Sequence, residues 1–265
     1  MKIGIVGAAG RMGRMLLAAV ATEDGAHVAG GTEAAGHPDM GRDLGELVGS
    51  DAIGVALTSD ARALFAACDA IIDFTVPAAT AAHAQLAADT GTVLVIGTTG
   101  LDAAQQGVIA AAGQKAALVQ AANYSVGVNL VLGLVEQAAR ILPDAYDIEV
   151  LEMHHHHKVD APSGTALALG EAAAAGRGVT LGDVADKVRD GITGARKRGD
   201  IGFATLRGGD VVGDHTVMFA GTGERIEITH KAASREIFAA GAVRAAIWAG
   251  TQKPGLYSMK DVLGF

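Results

Sequence analysis

Two regimes of hydrophobic patterning divide this chain. In the first half, short apolar runs alternate with stretches of helical spacing. Residues 3–6 form an apolar run that ends in glycines. Residues 11–21 then carry Met12, Met15, Leu16, Ala19 and Val20 at the three- and four-residue intervals of one helix face. Residues 28–32, 70–74, 92–96 and 117–120 read as further strands, and 70–74 and 92–96 are each followed by an Ala-rich helical pattern. Strands that alternate with helices predict a parallel, doubly wound sheet, because parallel neighbours need a crossover between them.

The pattern changes near Ser125. Residues 126–142 read as one long helix, 146–153 as a strand and 165–175 as a short helix. A polar, Gly-rich stretch over 176–200 leads to three strand-like runs without helices between them, at 201–206, 211–219 and 225–231. In the last run Ile226, Ile228 and His230 alternate with Arg225, Glu227, Thr229 and Lys231. Consecutive strands of this kind predict antiparallel pairing with one exposed face. Residues 234–248 form a final helix, with Ser234 as its expected cap. The expected fold class is α/β, with an N-terminal doubly wound parallel sheet followed by an α+β unit whose sheet is mixed and largely antiparallel.

Composition narrows the setting. The 265 residues suffice for two modest domains, and at 4% aromatic content their cores must be built from Ala, Val, Leu and Ile. A formal net charge of −8 argues against a nucleic-acid partner. Cys68 is the only cysteine, so no intrachain disulfide can form, which suits a reducing compartment. The apolar segment 93–97 is far shorter than the roughly 20 residues a membrane span requires. Met1 and Lys2 lead into the first strand without a leader-like pattern. A cytoplasmic protein with no membrane partner is expected.

Gly7, Ala8, Ala9, Gly10, Arg11, Met12 and Gly13 lie between the first strand and the first helix, where a Rossmann-type dinucleotide loop belongs. Glycines there let the backbone approach a pyrophosphate, whose charge meets the helix N-terminus. The GxxGxxG spacing is a variant of the usual fingerprint, and an ordinary tight turn is the competing reading. Glu33 follows the second strand at the distance where an acid meets the adenine-side ribose, although a solvated loop carboxylate would look the same. Gly97, Thr98 and Thr99 close another strand at its carboxyl end, and Ala121, Ala122, Asn123, Tyr124 and Ser125 close the next. A nicotinamide or flavin dinucleotide fits three such strand ends. A P-loop nucleotide site does not, since GxxxxGK[ST] is absent.

The densest chemistry lies at residues 149–166, EVLEMHHHHKVDAPSGTA. Pro162, Ser163, Gly164 and Thr165 read as a helix entrance whose free N–H groups would hold a carboxylate. Lys158 adds positive charge, and histidine can exchange a proton near neutral pH. Anion holders beside a proton donor suit reduction of an acidic substrate. A metal site competes, but consecutive histidines on an extended chain point to opposite faces and no cysteine cluster assists them. A solvated loop competes for any single histidine.

This stretch matches E-[IV]-x-E-x-H-x-x-x-K-x-D-x-P-S-G-T-A at every fixed position, and the chain thereby resembles the dihydrodipicolinate reductase family, also called 4-hydroxy-tetrahydrodipicolinate reductases. GAAGRMG, IDFT, VIGTTG, AANYSVGVN, GFATLRGGDVVGDHT and ITHKAASR are similar to that family too, so the resemblance runs from residue 3 to the C-terminus. It implies NAD(P)H-dependent reduction of 4-hydroxy-tetrahydrodipicolinate, with loss of water, in lysine and diaminopimelate biosynthesis. By position, it implies His154 as proton donor and acceptor, and Lys158 as second acid and carboxylate partner. His155, Ser163, Gly164 and Thr165 would bind the small dicarboxylate substrate. Gly7 to Met12, Glu33, Gly97 to Thr99 and Ala121 to Tyr124 would contact NADH or NADPH, with no metal. It further implies a homotetramer, a dinucleotide-binding domain at 1–125 completed by 235–265, and a substrate-binding and tetramerisation domain at 126–234.

One position departs from the resemblance. Many members follow the ribose-binding acid with an arginine that meets the 2′-phosphate of NADPH, and here Ala34 stands there. Arg11 and Arg14 are the nearest substitutes. His156 falls at a variable position and receives no role. The rival readings are another Rossmann-type reductase or amino-acid dehydrogenase, and a non-catalytic NAD-dependent sensor.

Overall fold

The strand–helix alternation of the first half is present in the computed structural model, which describes residues 1–265. In chain order it runs β1 (Lys2–Val6), α1 (Arg11–Thr22), β2 (His27–Thr32), a 3-10 turn at Glu46–Val48, β3 (Leu57–Thr58), α2 (Ala61–Ala67), β4 (Ala70–Asp73), α3 (Pro77–Thr90), β5 (Val93–Ile96), α4 (Ala103–Ala112) and β6 (Ala117–Gln120). Local chemistry punctuates it. Pro77 opens α3, where its missing N–H costs nothing, and Gly91 closes it at φ 73°. Asp102 and Gln105 cap α4 reciprocally.

The chain continues through α5 (Val126–Ile141), β7 (Asp147–His154), α6 (Gly164–Arg177), α7 (Leu181–Val184), β8 (Ala185–Asp186), β9 (Ile201–Arg207), β10 (Gly213–Gly221) and β11 (Glu224–Ala232). It ends with α8 (Glu236–Ala249), β12 (Gly255–Tyr257) and α9 (Met259–Leu263). Two compact units result, one of residues 1–126 with 236–265, the other of residues 127–235.

The first unit is built on a sheet of order β12-β6-β5-β4-β1-β2-β3, with every neighbouring pair parallel. The order reverses beside β1, which has β2 on one side and β4 on the other, and such a reversal opens a crevice at the strand carboxyl ends. One face packs residues of α1 and α8, the other residues of α2, α3 and α4. Helix α8 lies very close to the chain at Tyr124, since a Cβ on Gly241 would fall 1.8 Å from the Tyr124 carbonyl oxygen. Its buried Ala239, Ala242, Ala245, Ala246 and Ala249 show how a core poor in aromatics still fills space.

In the second unit the sheet order is β11-β10-β7-β9-β8. Strands β7, β10 and β11 pair antiparallel, but β9 runs parallel to both β7 and β8. The three helix-free runs are therefore not simple hairpin neighbours, because β7 lies between β9 and β10. The connection from β9 to β10 passes the end of β7. Gly208 N–H donates to the His154 carbonyl at 2.9 Å, and His155 N–H donates to the Val211 carbonyl at 2.8 Å. Helix α5 contributes Val131, Val135 and Ala139, and α6 contributes Ala166, Leu169 and Ala173, to a core with Ile148, Val150, Ile201, Val217 and Phe219. The alternation read in β11 fits this face, with Ile226, Ile228 and His230 opposite Phe219, Val217 and His215. The final helix starts at Glu236, so Ser234 lies one residue outside the cap position expected for it.

Candidate active site

The glycine loop has the backbone a dinucleotide needs. Gly7 sits at φ 70°, a conformation that favours glycine, and Gly10 N–H donates to the Gly7 carbonyl at 3.1 Å to close the turn. Gly13 in α1 allows that turn to press on the helix, since a Cβ there would meet the Gly7 carbonyl oxygen at 2.1 Å. Glu33, at the end of β2, reaches over the loop. Its Oε2 accepts from Ala9 N–H at 3.2 Å and its Oε1 from Ala34 N–H at 3.3 Å. A cavity of ≈ 480 Å³ opens here, lined in part by Gly7, Gly10, Glu33, Ala34, Thr75 and His83. Loop, helix start, acid and cavity together fit a dinucleotide. Arg14 is committed elsewhere, donating to the Ala9 carbonyl at 2.9 Å, to the Leu47 carbonyl, and to Asp39 at 2.9 Å. Arg11 is exposed at the first turn of α1.

The neighbouring strand ends are braced from inside. Asp73, fully buried at the end of β4, accepts from Thr75 N–H at 2.9 Å and Thr75 Oγ1 at 2.6 Å, and lies 2.8 Å from His83 Nδ1. The Thr98 hydroxyl accepts from Thr80 at 2.7 Å and faces Asp73 at 3.4 Å. Tyr124 is buried, its hydroxyl 2.9 Å from the Ile96 carbonyl and 2.8 Å from that of Val119. Burial pushes its phenol pKa well up. Both side chains are thus consumed within the sheet, whereas Thr99 is exposed and Asn123 half-buried at these strand ends.

In the second unit, His154 closes β7 and is buried. Its Nδ1 lies 2.6 Å from Glu152 Oε2. Glu152, two residues back on the same sheet face and only 1% exposed, is gripped by four donors. Arg207 binds it bidentately at 2.8 and 3.0 Å, and Ser163 N–H donates to Oε1 at 3.0 Å, beside the His154 contact. Burial opposes ionisation of this carboxyl, but Arg207, His154 and the Ser163 N–H outweigh it and hold its pKa below the usual range. Ser163 caps α6 through the Ala166 N–H at 3.1 Å, and its hydroxyl is 2.9 Å from His215 Nε2. The rings of His154 and His215 meet edge to face, 5.1 Å apart. Gly213 leaves space at the His154 Nε2, which a Cβ would approach to 2.9 Å.

The remaining histidines diverge. His155 faces Arg235, with Nε2 3.3 Å from the guanidinium, while its Nδ1 is buried without a partner. His156 Nδ1 turns to the Gly209 carbonyl at 3.0 Å, and the His157 ring lies tilted against that of His156, with centroids 3.9 Å apart. No three His, Cys, Asp or Glu side chains converge as a ligand set. Lys158 pairs with Asp160 at 2.8 Å, and that contact lowers the Asp160 pKa. Gly164 and Thr165 form the first turn of α6 after a cis Ala161–Pro162 bond.

The second unit thus gathers His154, Lys158, Ser163, Gly164 and Thr165 at the end of β7 and the start of α6. Sequence reading passed over Glu152, Arg207 and His215. Period-2 spacing from His154 could have marked Glu152, whereas Arg207 and His215 arrive through the pairing of β9 and β10 with β7.

Burial pushes the His215 pKa down to about 4, with the charge of His154 adding to it, and burial lowers His155 and His230 as well. An unfolded histidine titrates near 6.5. Between these values the unfolded chain binds a proton that folded His215 refuses, so stability falls as pH drops from about 6.5 to about 4 and this loss then levels off. His215 alone accounts for about 3 kcal/mol. Urea unfolding at stepped pH should show a shallower loss in His215→Gln than in wild type. Parallel pH curves would contradict it.

Comparison with known proteins places the chain. The family profile described as dihydrodipicolinate reductase, N-terminus, matches residues 1–124, and the one described as dihydrodipicolinate reductase, C-terminus, matches residues 127–263. A relative from Rhodopseudomonas palustris (strain BisB18), named 4-hydroxy-tetrahydrodipicolinate reductase, is 57% identical over 264 residues, covering 100% of this chain and 97% of its own. A relative of the same name from Dinoroseobacter shibae is 56% identical over 262 residues, covering 99% of this chain and 97% of its own. Among solved structures, dipicolinate-bound dihydrodipicolinate reductase from Paenisporosarcina sp. TG-14 has the same fold, with a TM-score of 0.80, 23% identity and 98% of each chain covered. With both units matched end to end, this chain belongs to the dihydrodipicolinate reductase family.

Proposed function

We propose that this protein reduces 4-hydroxy-tetrahydrodipicolinate to tetrahydrodipicolinate, with loss of water, using NADH or NADPH in lysine and diaminopimelate biosynthesis. The carrying observation is the juxtaposition, within one unit, of a buried carboxylate-paired histidine and a Ser-capped helix start. The first unit binds the dinucleotide through the Gly7–Met12 loop, Glu33 and the backbone at Gly97–Thr99 and Ala121–Tyr124. When bound, that cofactor supplies a hydride. In the second unit Lys158, His155 and the N–H groups of Gly164 and Thr165 hold the ring carboxylates, whereas the Ser163 N–H expected to join them is taken by Glu152. Once water has left the ring and the conjugated imine has been reduced, the resulting enamine would take its proton from the His154 imidazolium, at the Nε2 that neutral His154 leaves free to pick one up.

The test is an assay coupled to the upstream synthase, with aspartate semialdehyde and pyruvate, following oxidation of the reduced nicotinamide. Oxidation that depends on all three additions is the expected result. Tight NADH binding without turnover would favour the sensor reading instead.

The enzyme should use NADH at least as well as NADPH. Glu33 offers its carboxylate to free ribose hydroxyls, Ala34 offers a 2′-phosphate nothing, and Arg14 is held by Asp39. Ala34→Arg should raise kcat/KM for NADPH selectively. A wild-type preference for NADPH above about tenfold, or roughly 1.4 kcal/mol, would contradict this.

A cytoplasmic homotetramer completes the reading. Cys68 is free, and no helix is long and apolar enough to cross a membrane. The sheet face opposite α5 and α6 carries Leu151, Met153, Met218 and a half-exposed Leu206, apolar surface suited to self-association. Light scattering at the mass of a monomer or dimer would refute the tetramer.

A further inference from the structure

We propose that Glu152 is a positioning residue that fixes the tautomer and aim of His154, and that Arg207 holds Glu152 in place to do so. This rests on the reading of His154 as the proton donor. Glu152 lies on β7 two residues before His154, so the two side chains share a face, and their contact at 2.6 Å joins Oε2 to Nδ1. An ionised carboxylate can only accept hydrogen bonds. The shared proton therefore belongs to Nδ1, and neutral His154 keeps Nε2 as its bare, exchangeable nitrogen. A side chain at 213 would press on Nε2, since a Cβ there would come within 2.9 Å of it. The edge of His215 packs against the same ring and limits its rotation.

Arg207 supplies what a buried carboxylate otherwise lacks. Its two nitrogens take both oxygens of Glu152, at 2.8 and 3.0 Å, offsetting the charge while leaving one direction at each oxygen free. His154 takes one of these directions and Ser163 N–H the other. Arg207 also donates to the Asp160 carbonyl at 2.6 Å, and Asp160 pairs with Lys158. One carboxylate thus registers three groups against one another: the proton donor, the turn that opens α6, and the loop that bears Lys158.

The experiment combines nitrogen-15 spectra of histidine-labelled intact protein with steady-state kinetics. His154→Gln, by difference, assigns the His154 signals. In wild type, neutral His154 should carry its proton on Nδ1. In Glu152→Gln, whose amide can present either an acceptor or a donor, that signature should be lost or mixed. Its kcat should fall about 10²–10⁴-fold, as when a carboxylate orienting a catalytic histidine is made an amide. The dissociation constant for NADH should stay unchanged. Glu152→Asp, which keeps the charge, should retain the Nδ1 tautomer and more of the rate. Neutral wild-type His154 carrying its proton on Nε2 would overturn the proposal, and so would folded Glu152→Gln with wild-type kcat. Should Glu152→Gln not fold, the wild-type spectrum alone decides. Full turnover in His154→Gln would instead sink the role of His154 itself and leave the tautomer measurement standing.

Discussion

Replacing His154 with glutamine should lower kcat by about 10²–10⁴-fold and leave the affinity for the dinucleotide unchanged. That range is what a positioned acid–base group contributes. The side chain is nearly enclosed, at 8% exposure, and one of its two nitrogens is already engaged by Glu152. Only the other can pass a proton to a substrate. Glutamine keeps polar atoms in the pocket but cannot change its protonation state near neutral pH, so loss of packing is a small part of the expected effect. The dinucleotide loop lies in the other unit, so NADH binding by the variant checks the first unit, and an unfolding transition like that of wild type checks the one that carries His154. Turnover at saturating substrate equal to that of wild type would remove His154 from the mechanism.

Replacing Lys158 with alanine should damage binding and turnover together. A charge that holds a substrate carboxylate in the ground state also holds it in the transition state, so KM rises, and any extra grip as charge builds is lost from kcat. A hydrogen bond to a charged group is worth about 1.5–3 kcal/mol, which predicts a fall in kcat/KM of about 10–100-fold or more. The Asp160 contact supplies the contrary reading, in which Lys158 merely ties its own loop. Asp160→Asn separates the two, because it breaks the pair but leaves the ammonium for substrate. The expected result is a much smaller loss than in Lys158→Ala. Equal losses would mean that the lysine serves the loop.

Local pattern carried much of this protein. The 126–142 helix, the Gly7–Gly13 turn and the alternation of Ile226, Ile228 and His230 were legible because each is set by residues close in sequence, through helical spacing, glycine's backbone freedom and the period of a strand. The His–Lys block stood out for the same reason, since its histidine, lysine and helix entrance are contiguous. Short edge elements left no such trace. Strand β12 spans only Gly255–Tyr257, too few residues for a period, and owes its existence to hydrogen bonding with β6.

Pairing and burial decided the rest. A strand's period states which residues share a face but not which strand lies beside it, so the parallel placement of β9 against β7 appears only in the folded sheet. That placement brings Arg207 to Glu152, and β10, on the other side of β7, brings His215 to Ser163. The same logic turned the Tyr124 hydroxyl into the sheet and tied Arg14 to Asp39, since a buried hydroxyl must find a carbonyl and a guanidinium settles where several acceptors converge. His154, Lys158 and Ser163–Thr165 could be picked out as candidates from the chain alone, because they are neighbours along it. Their orientation depends on the fold, because Glu152, though close to His154 along the chain, is itself held by Arg207 of β9, and Ser163 meets His215 of β10.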